Sequence, residues 1–596
     1  MNSKNLRSSY NLKKLKRMEP GSLKEFAEIV RSDMIDIVSK TGGHIGVNLG
    51  VLEITIALHY TFDFLHDSLI FDTGHNCYVH KMLTGRLTKM KTMRHHGGLS
   101  GFPNPSESTY DLVSWSHAGD SLSVGAGIAY ANNSLRRDNK TVVLIGDAAL
   151  VEGASQEALN FIGGQKDENL LIVLNDNSIA IDPWDGGLFR YLKKIKGGAP
   201  ETYFNSLGID YVGPVDGHDV SMLVKTFKKL QHIKRPIIVH CVTRKGNGLK
   251  WRKSDPNKNH WLFPFDKASG DIIENGTDYW MKPSEPFLNS VAGDAIYKIV
   301  QDNKDSILIS PATNGISGIV KVFQDFPKQS IDVAMAEQHS IAFAVGTTLK
   351  SNKKPIVCFQ SAFLPRAFDQ IIQDFALNEV PVLIVSTRSG IGGLDHDVHH
   401  ALFDISYLSA IPNLKILFPG TQKQLEEAIN TSYQNLDAPT IILYPYGTLS
   451  ALNITKSDIE FDKKVSKGAK IAIVTTGNMY KYGYGLQKYL YEKTELKSIV
   501  KNIIKLSPID SKKLALICKN YPFIVSLEEN VLRGGFGSII SEYIMDNSYG
   551  NKLLRFGIPN RFLEKGLRFY LYPKCGMDYK SIYGKIKAKW GNLLNK

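Results

Sequence analysis

Asp147 and Asn177 are the residues of this chain whose types and spacing point most directly to chemistry. Each follows an apolar run, and the two runs are Val142–Ile145 and Leu170–Leu174. The segment between them, Glu152–Ile162, has the apolar spacing of a helix, which predicts two adjacent parallel strands joined by that helix. Carboxyl ends of such strands meet where open α/β sheets bind ligands. Carboxylate and amide oxygens suit Mg²⁺, which commonly also takes phosphate oxygens, so the pair predicts a metal-bridged diphosphate site. Ordinary turn residues are the alternative.

Histidines cluster in the first part of the chain, and several of them adjoin glycine, which places them on loops. Loop histidines held by a rigid scaffold are suited to proton transfer or to anion binding. A structural role explains any single one of them more readily than it explains the whole set. The set is His44, His75, His80, His95, His96 and His117.

A carboxylate interrupts the small apolar residues of the segment Ala334–His339. Burial there would raise the pKa of Glu337, and a raised pKa suits proton exchange. The alternative is a glutamate that caps the N-terminus of its own helix. Taken alone, the pattern favours capping.

The composition is ordinary for a folded protein of several domains. The chain has 596 residues, of which 43% are hydrophobic and 22% are charged, and it is too long for a single core. No apolar run approaches the ~20 residues that span a bilayer. The basic N-terminal arm lacks the apolar segment of a secretory signal, and we expect a cytoplasmic protein without membrane contact. The basic residues of the arm mark either a disordered tail or a targeting remnant, and the tail is the preferred interpretation.

Charge and cysteine content argue against several further classes of function and of site. The formal net charge is +14, but the basic residues are scattered among acids, which argues against nucleic-acid binding. The cysteines are far apart and form no C-x-x-C pair, which argues against a disulfide framework or a structural zinc site and fits a reducing compartment. They are Cys77, Cys241, Cys358, Cys518 and Cys575.

Strand-like and helix-like segments alternate through three blocks, which is the α/β signature. We expect domains at residues 1–285, 286–455 and 456–596. The first block ends in a polar stretch, Lys253–Lys282, which is either a linker or a long active-site loop. Beyond it the strand candidates are Ser306–Ser310, Pro355–Phe359, Val380–Val385, Thr440–Leu443, Ala469–Val474 and Phe523–Ser526.

Longer motifs follow the order found in a known group of enzymes. They are Gly42–His44, Asp72–Arg86, Gly97–Phe102, Gly213–Asp219, Met335–His339, Phe363–Gln370, Phe403–Leu408 and Glu528–Asn530. Over nearly its whole length the chain resembles the thiamine-diphosphate enzymes of the transketolase superfamily, and most of all the 1-deoxy-D-xylulose-5-phosphate synthases. The resemblance implies three doubly wound α/β domains: a diphosphate- and metal-binding thiamine domain, a pyrimidine-binding domain and a C-terminal transketolase-like domain. By analogy it also implies a homodimer.

The resemblance assigns thiamine diphosphate and Mg²⁺ as cofactors and gives roles to particular residues. The metal ligands match Asp147, Asn177 and the backbone carbonyl of Ile179. The thiamine-diphosphate site matches His75, His117, Asp147, Ala148, Asn177, Lys245, Glu337 and Phe363, with Ala148 standing where the family has glycine. The catalytic positions match Glu337, His44, His75, His260, Arg94, Asp395 and His399. The substrate positions match Arg366 and Arg388.

The implied reaction decarboxylates pyruvate and joins the two-carbon unit to D-glyceraldehyde 3-phosphate. The product, 1-deoxy-D-xylulose 5-phosphate, is a precursor of isoprenoids and thiamine. Near the acceptor, Gln360 replaces an expected tyrosine and Tyr446 an expected arginine, and loss of an arginine fork removes charge and geometry together. The alternatives are a synthase-like or transketolase-like enzyme with a different aldehyde acceptor, for example a non-phosphorylated one, transketolase proper, and a degenerate binding protein.

Overall fold

The computed structural model describes four stretches of the chain: residues 10–181, 185–251, 260–273 and 286–594. Much of Lys253–Lys282 lies outside the described residues, so its role as linker or loop stays a prediction. The chain divides into two compact units: Met1–Asp278 with Ala334–Ala336, and Tyr279–Val333 with Glu337–Lys596.

The first unit is built on a parallel sheet. Its strands are β1 (Ser68–Phe71), β2 (Thr141–Gly146), β3 (Leu170–Asp176), β4 (Asp210–Asp216) and β5 (Ile237–Val242). They lie in the order β1-β2-β3-β5-β4, and every neighbouring pair is parallel. The central strands are runs of valine, isoleucine and leucine that are buried on both faces, as expected of a parallel sheet covered by helices.

Helices cover both faces of this sheet, and two apolar cores fill the space between the layers. The helices are α1 (Leu12–Leu15), α2 (Leu23–Thr41), α3 (Ile45–Gly50), α4 (Leu52–Thr61), α5 (Tyr78–Leu83), α6 (Ser121–Ser134), α7 (Gly153–Gly163), α8 (Gly187–Ile195), α9 (Tyr203–Ser206) and α10 (Val220–Leu230). Short 3₁₀ turns occur at Pro20–Ser22, Leu87–Thr92 and Ala148–Val151. The predicted unit of two parallel strands joined by a helix is confirmed as β2, α7 and β3.

The second unit contains two sheets. Its strands are β6 (Ser306–Ser310), β7 (Ser330–Asp332), β8 (Lys354–Gln360), β9 (Leu383–Ser389), β10 (Lys415–Leu417), β11 (Thr440–Pro445), β12 (Ile471–Thr475), β13 (Ser498–Asn502), β14 (Lys505–Ser507), β15 (Phe523–Val531) and β16 (Lys552–Ile558). One sheet has the order β14-β10-β11-β9-β8-β6-β7 and the other β13-β12-β15-β16. All pairs are parallel except β10 with β14.

The helices of the second unit pack against these two sheets. They are α11 (Leu288–Asp302), α12 (Asn314–Ser317), α13 (Val320–Asp325), α14 (Glu337–Thr348), α15 (Phe368–Gln370), α16 (Asp404–Leu408), α17 (Gln422–Gln434), α18 (Lys456–Val465), α19 (Met479–Thr494), α20 (Ser511–Asn520), α21 (Phe536–Asp546), α22 (Arg568–Lys574) and α23 (Tyr579–Leu594). A π-helical turn, Ile371–Ala376, follows α15, and 3₁₀ turns occur at Leu364–Ala367, Asp397–His399 and Leu449–Leu452.

Each strand candidate of the second and third blocks corresponds to an observed strand. Among the strand starts, the largest shift is in β9, which begins at Leu383 rather than Val380. Pro381 lies in the skipped segment, and a proline has no N–H to donate to a sheet. Strand β14 comes from the third block but pairs antiparallel with β10 of the second. The division into three domains at residues 285 and 455 stays a prediction.

The basic arm departs from the expected disordered tail. Leu12–Leu15 is a helix, and the side chain of Asn11 accepts a hydrogen bond from the N–H of Lys13 at its start. Leu15 is buried in the core of the first unit. The tail prediction is wrong from Leu12 onward because Leu15 and Met18, together with the partly buried Leu12, anchor an otherwise basic segment in that core. None of the described helices combines the length and the apolar character that a membrane crossing needs.

Candidate active site

The carboxyl ends of β2 and β3 bring Asp147 and Asn177 to one edge of the first sheet. The N–H of Asp147 donates to the carbonyl of Asn175 at 3.1 Å, and the N–H of Ser178 donates to Asp147 Oδ2 at 2.8 Å. The Asn177 side chain accepts from the N–H of Ile179 at 3.1 Å. The predicted convergence of the two strand ends is confirmed, and metal binding by these residues stays a prediction.

A network that the sequence did not reveal surrounds this edge. Asp176 Oδ2 lies 2.9 Å from His240 Nε2, and Asp176 Oδ1 lies 2.7 Å from Lys196 Nζ. Lys196 also donates to the Ser178 hydroxyl at 2.6 Å. Burial raises the pKa of Asp176, but the hydrogen bonds from His240 and Lys196 outweigh it, so the net pKa is lowered. Asp176 is therefore a carboxylate already supplied with counter-charge.

Asp147 has the opposite balance. Its carboxyl group is buried, and burial together with the charge of Asp176 raises its pKa well above the ordinary value. A divalent cation at this position would supply the positive charge that the ionised form of Asp147 lacks. The donor chemistry at this edge, which is carboxylate, amide oxygen and backbone carbonyl, fits Mg²⁺.

Small side chains and a glycine loop line the same edge. Ala148 packs with Ala180 and with Ala334, which belongs to the first unit. His117 lies two residues before Gly119, whose N–H donates to Asp72 Oδ2 at 3.0 Å. Asp72 follows β1, so this hydrogen bond places the His117 segment beside the end of that strand.

Three predicted catalytic histidines lie together in the first unit. The ring centroids of His44, His75 and His260 are 5.2, 5.3 and 5.4 Å apart, pair by pair. Burial first, and then neighbouring cationic groups that include Lys245, lower the pKa of both His75 and His260 well below the usual value. Within the described residues, the Nδ1 atoms of His75 and His260 are buried without a hydrogen-bond partner. These imidazoles are neutral at neutral pH and have ring nitrogens available to a ligand.

Lys245 and Arg94 flank the first-unit site in different ways. Lys245 is buried and donates to the carbonyl of Ala180 at 2.7 Å. Arg94 donates to the carbonyl of Thr41 at 2.9 Å, and its guanidinium lies 4.6 Å from the ring centroid of Trp261. Arg94 belongs to the first unit and Asp395 and His399 to the second, so their predicted cooperation stays a prediction.

Glu337 is the first residue of α14 in the second unit. This position is compatible with both interpretations from the sequence, a glutamate that caps its own helix and a buried carboxyl that exchanges a proton. Its side chain is buried, and within the described residues Oε2 has no hydrogen-bond partner. Burial raises the pKa of the Glu337 carboxyl, and the nearby guanidinium of Arg366 offsets this only in part. A buried carboxyl oxygen without a partner is what a hydrogen-bonding ligand would need.

Phe363 and His399 contact each other in the second unit. Their ring centroids are 6.2 Å apart and the ring planes are nearly perpendicular. His396 lies in the same loop, with its ring centroid 6.3 Å from that of His399. Asp395 is buried one residue before His396. The structure therefore places Phe363 beside the loop of the second unit that carries Asp395 and His399.

The acceptor candidates lie at the carboxyl edge of the seven-stranded sheet. Gln360 ends β8 and pairs in register with Thr387 of β9. Arg388 follows Thr387, and Tyr446 directly follows β11, which is the other neighbour of β9. Three adjacent strand ends thus bring together Arg388, which matches an expected acceptor-binding residue, and Gln360 and Tyr446, which do not.

The chain matches known proteins along almost its whole length. The family model for 1-deoxy-D-xylulose-5-phosphate synthase matches residues 6–199 and 194–243, the transketolase pyrimidine-binding domain matches 287–450, and the transketolase C-terminal domain matches 462–582. A 1-deoxy-D-xylulose-5-phosphate synthase of Chromobacterium violaceum is 35% identical, over 98% of this chain and 98% of the relative. One of Clostridium perfringens is 35% identical, over 96% and 97%.

The chain belongs to the 1-deoxy-D-xylulose-5-phosphate synthase family. It is an enzyme of the transferase class with the α/β fold and transketolase-type domains of that family.

One buried carboxyl group of this synthase-family chain has no role predicted from the sequence. Asp404, at the start of α16, accepts a hydrogen bond from the Ser389 hydroxyl at 2.7 Å. The hydroxyl of Ser361, which lies 2.7 Å from that of Ser386, is also close enough to Asp404 to lower the pKa of its carboxyl. Ser389 follows Arg388, and Ser361 lies two residues before Phe363. Asp404 therefore lies beside the two strand ends that carry predicted site residues, and it belongs to the Phe403–Leu408 motif.

Asp404 is expected to make the stability of the protein fall as the pH rises. Burial raises its pKa to about 7, although the hydroxyls of Ser389, Ser361 and Tyr407 oppose the shift. The unfolded chain releases this proton near pH 4, so stability is lost between about pH 4 and pH 7. Asp404→Asn removes this term, and the Tm of the variant relative to wild type should rise by about 2–4 °C from pH 5 to pH 8.

Thermal melts of both proteins across that pH range check the Asp404 prediction. The control is Asp294→Asn, which changes an exposed carboxylate on α11. The control should show a Tm difference that does not depend on pH. A flat difference for Asp404→Asn would contradict the prediction.

Proposed function

We propose that this chain is a 1-deoxy-D-xylulose-5-phosphate synthase. It would decarboxylate pyruvate and join the remaining two-carbon unit to D-glyceraldehyde 3-phosphate, releasing one CO₂ for each ketose phosphate formed. The observation that carries the proposal is the near-full-length likeness to relatives named for this activity. The product would feed isoprenoid and thiamine synthesis in the cytoplasm.

Thiamine diphosphate and Mg²⁺ are the proposed cofactors. When bound, thiamine diphosphate supplies a carbon nucleophile that lets bonds next to a carbonyl break and form. Asp147, Asn177 and the Ile179 carbonyl would hold Mg²⁺ and, through it, the diphosphate. Buried polar atoms without partners support the fit: Glu337 Oε2 in the second unit, and His75 Nδ1 and His260 Nδ1 in the first.

Glu337 is the proposed proton-exchanging group. Burial raises the pKa of the Glu337 carboxyl, so it stays protonated to a higher pH than an ordinary glutamate, which suits a group that gives and regains a proton. Its Oε2 would hydrogen-bond to the pyrimidine ring of the cofactor, which Phe363 would face. These roles explain why a charged residue sits in a buried position that apolar packing would otherwise fill.

The three histidines of the first unit would handle protons and developing charge on the substrates. Because burial holds His75 and His260 neutral, each has one ring nitrogen that can accept a hydrogen bond and one that can donate. Arg94, Asp395 and His399 would handle the pyruvate-derived carbons. Arg366 and Arg388 would bind the anionic parts of the substrates.

A second candidate is a carboligase whose aldehyde acceptor carries no phosphate. The observation that favours it is the pair Gln360 and Tyr446, which stand where the family has a tyrosine and an arginine. Each lies at a strand end adjacent to Arg388. The two candidates differ in the acceptor alone.

One assay tests both candidates. Purified protein with thiamine diphosphate, Mg²⁺ and pyruvate is given glyceraldehyde 3-phosphate or unphosphorylated glyceraldehyde, and CO₂ release and ketose product are measured. The synthase proposal expects CO₂ release that depends on the phosphorylated acceptor, with kcat/KM at least about 10-fold higher than for glyceraldehyde. The reverse preference would support the second candidate. No CO₂ release with any acceptor would overturn both.

We also propose that the protein is a homodimer, by analogy with the family. Light scattering at micromolar concentration should give twice the chain mass of 66.4 kDa. A monomer mass in the presence of thiamine diphosphate and Mg²⁺ would overturn this.

A further inference from the structure

Arg388 has an unusual environment for an arginine that is half-buried at a strand end. Its guanidinium lies 4.3 Å from the ring centroid of Tyr446. Within residues 286–594 the structure shows no hydrogen bond or ion pair for this guanidinium, so its N–H groups there are available to donate to a ligand. An arginine held by one face of its plane keeps its N–H edges for a bidentate anion.

The ring of Tyr446 is itself held in place. Its side chain is 9% exposed, and the ring of Phe287 lies nearly parallel to it, with 14° between the planes and 6.1 Å between the centroids. Its carbonyl accepts a hydrogen bond from Arg568 Nη1 at 2.8 Å. A ring fixed by packing and by its own backbone is a rigid surface for a stacked cation.

Arg568 is a cation near Tyr446 whose charge is already neutralised. Its Nε and Nη2 donate to the two carboxylate oxygens of Glu529 at 2.6 and 2.9 Å. The Tyr572 hydroxyl donates to the same carboxylate at 2.5 Å. Arg568 therefore orients the backbone of Tyr446, and it does not replace the arginine that the sequence lacks at position 446.

The backbone at Arg388 is also fixed. Arg388 has a φ of +66°, in the left-handed region that a non-glycine residue adopts only under constraint. Two residues later, Gly390 leaves so little room that a Cβ there would collide with Glu529 Oε2. That same oxygen accepts from the N–H of Ile391 at 3.0 Å. One carboxylate thus supports both the Arg388 turn and, through Arg568, the Tyr446 backbone.

We propose that Tyr446 is a positioning residue whose ring orients the Arg388 guanidinium toward the anionic group of the acceptor. This inference rests on the proposed function, in which Arg388 binds the acceptor. The phenol ring does not supply the positive charge of a second arginine, but it fixes the orientation of the Arg388 guanidinium. That single guanidinium then recognises the phosphate monoester of an aldehyde. On this account the residue at position 446 changes the way the acceptor phosphate is bound and does not abolish phosphate binding.

The test compares Tyr446→Leu with Tyr446→Phe in the full chain loaded with thiamine diphosphate and Mg²⁺. Loss of a desolvated cation–π contact predicts about a 10-fold higher KM for glyceraldehyde 3-phosphate in the leucine variant. The KM for pyruvate should stay within about 2-fold of wild type, and so should the KM for unphosphorylated glyceraldehyde. Tyr446→Phe keeps the ring and should restore the wild-type KM for the phosphorylated acceptor.

Tyr297→Leu is the matched control, because Tyr297 also lies beside a cation, with Lys321 Nζ 4.6 Å from its ring centroid on the surface of the second unit. It should leave all three KM values unchanged. If Tyr446→Leu does not fold, Phe287→Leu removes the support of the ring and should raise the same KM by a few-fold.

Three results would overturn the inference. They are an unchanged acceptor KM in Tyr446→Leu, an equal rise for pyruvate, and a phenylalanine variant as poor as the leucine variant. If the wild-type protein makes no ketose phosphate, the proposed function fails separately. Calorimetric binding of glyceraldehyde 3-phosphate to the loaded wild-type and leucine proteins then decides the inference, since equal affinities would refute it.

Discussion

Glu337→Gln is expected to lower kcat for ketose phosphate formation by about 10³-fold, the scale lost when a positioned acid–base group is removed. Glutamine keeps the shape and one oxygen of the side chain, but it cannot exchange a proton. The Glu337 side chain is buried with a raised pKa. The substitution also removes a costly buried carboxyl, so the protein should fold and bind thiamine diphosphate with nearly wild-type affinity.

Steady-state rates with both substrates and calorimetric titration with thiamine diphosphate measure these two effects separately. Glu528→Gln is the matched control, because burial also raises the pKa of Glu528, to about 8. The Glu528 carboxylate accepts from the N–H groups of Phe536 at 2.6 Å and Gly537 at 2.9 Å, so its oxygens are already satisfied. We expect its kcat to change only a few-fold. Equal losses in both variants would show that burial of a carboxyl, and not its contact with a ligand, is what matters.

The two neighbouring strand ends were predictable because the signals were local. Apolar runs of strand length, a helix between them and polar residues at the ends fix the topology of β2, α7 and β3 without knowledge of the rest of the chain. The same holds for most strands of the second unit. The antiparallel partnership of β14 with β10 was not predictable, because no local pattern says which sheet a short edge strand joins.

The partners of the site residues were hidden for a related reason. Lys196 and His240 reach Asp176 from segments that are remote in sequence, and neither lies in a motif with recognisable spacing. Asp404 appeared in a motif, but only its contact with Ser389 shows that it braces the end of β9. Long-range side-chain contacts of this kind follow from packing, which composition and periodicity do not specify.

Tyr446 shows how a sequence difference can be interpreted incompletely. From the chain alone it is a lost arginine, and the loss suggests a weaker phosphate site. The structure adds the stacked guanidinium of Arg388, the parallel ring of Phe287 and the backbone hydrogen bond from Arg568. These contacts are the basis of our proposal that an oriented guanidinium compensates for the missing charge.

Asp147→Asn is expected to weaken Mg²⁺-dependent binding of thiamine diphosphate by at least about 100-fold, more than the 10–100-fold typical of residues that only support a metal ligand. Asp147 is the one carboxylate in the predicted ligand set, since Asn177 and the Ile179 carbonyl are uncharged. The amide keeps the size of the side chain and removes the charge that a divalent cation neutralises. Titration of Mg²⁺ at fixed thiamine diphosphate, followed by calorimetry, measures the loss directly.

The competing assignment is Asp176, the other carboxylate at the same edge. The charge of Asp176 is already paired with Lys196 and lies beside His240. We therefore expect Asp176→Asn to lower the Tm of the protein and to weaken Mg²⁺ binding less than Asp147→Asn does. The two variants together discriminate the ligand from its neighbour. If Asp176→Asn abolished Mg²⁺-dependent binding while Asp147→Asn kept it within about 3-fold, the ligand set would have to be drawn around Asp176, and the buried, charge-poor carboxyl of Asp147 would need another explanation.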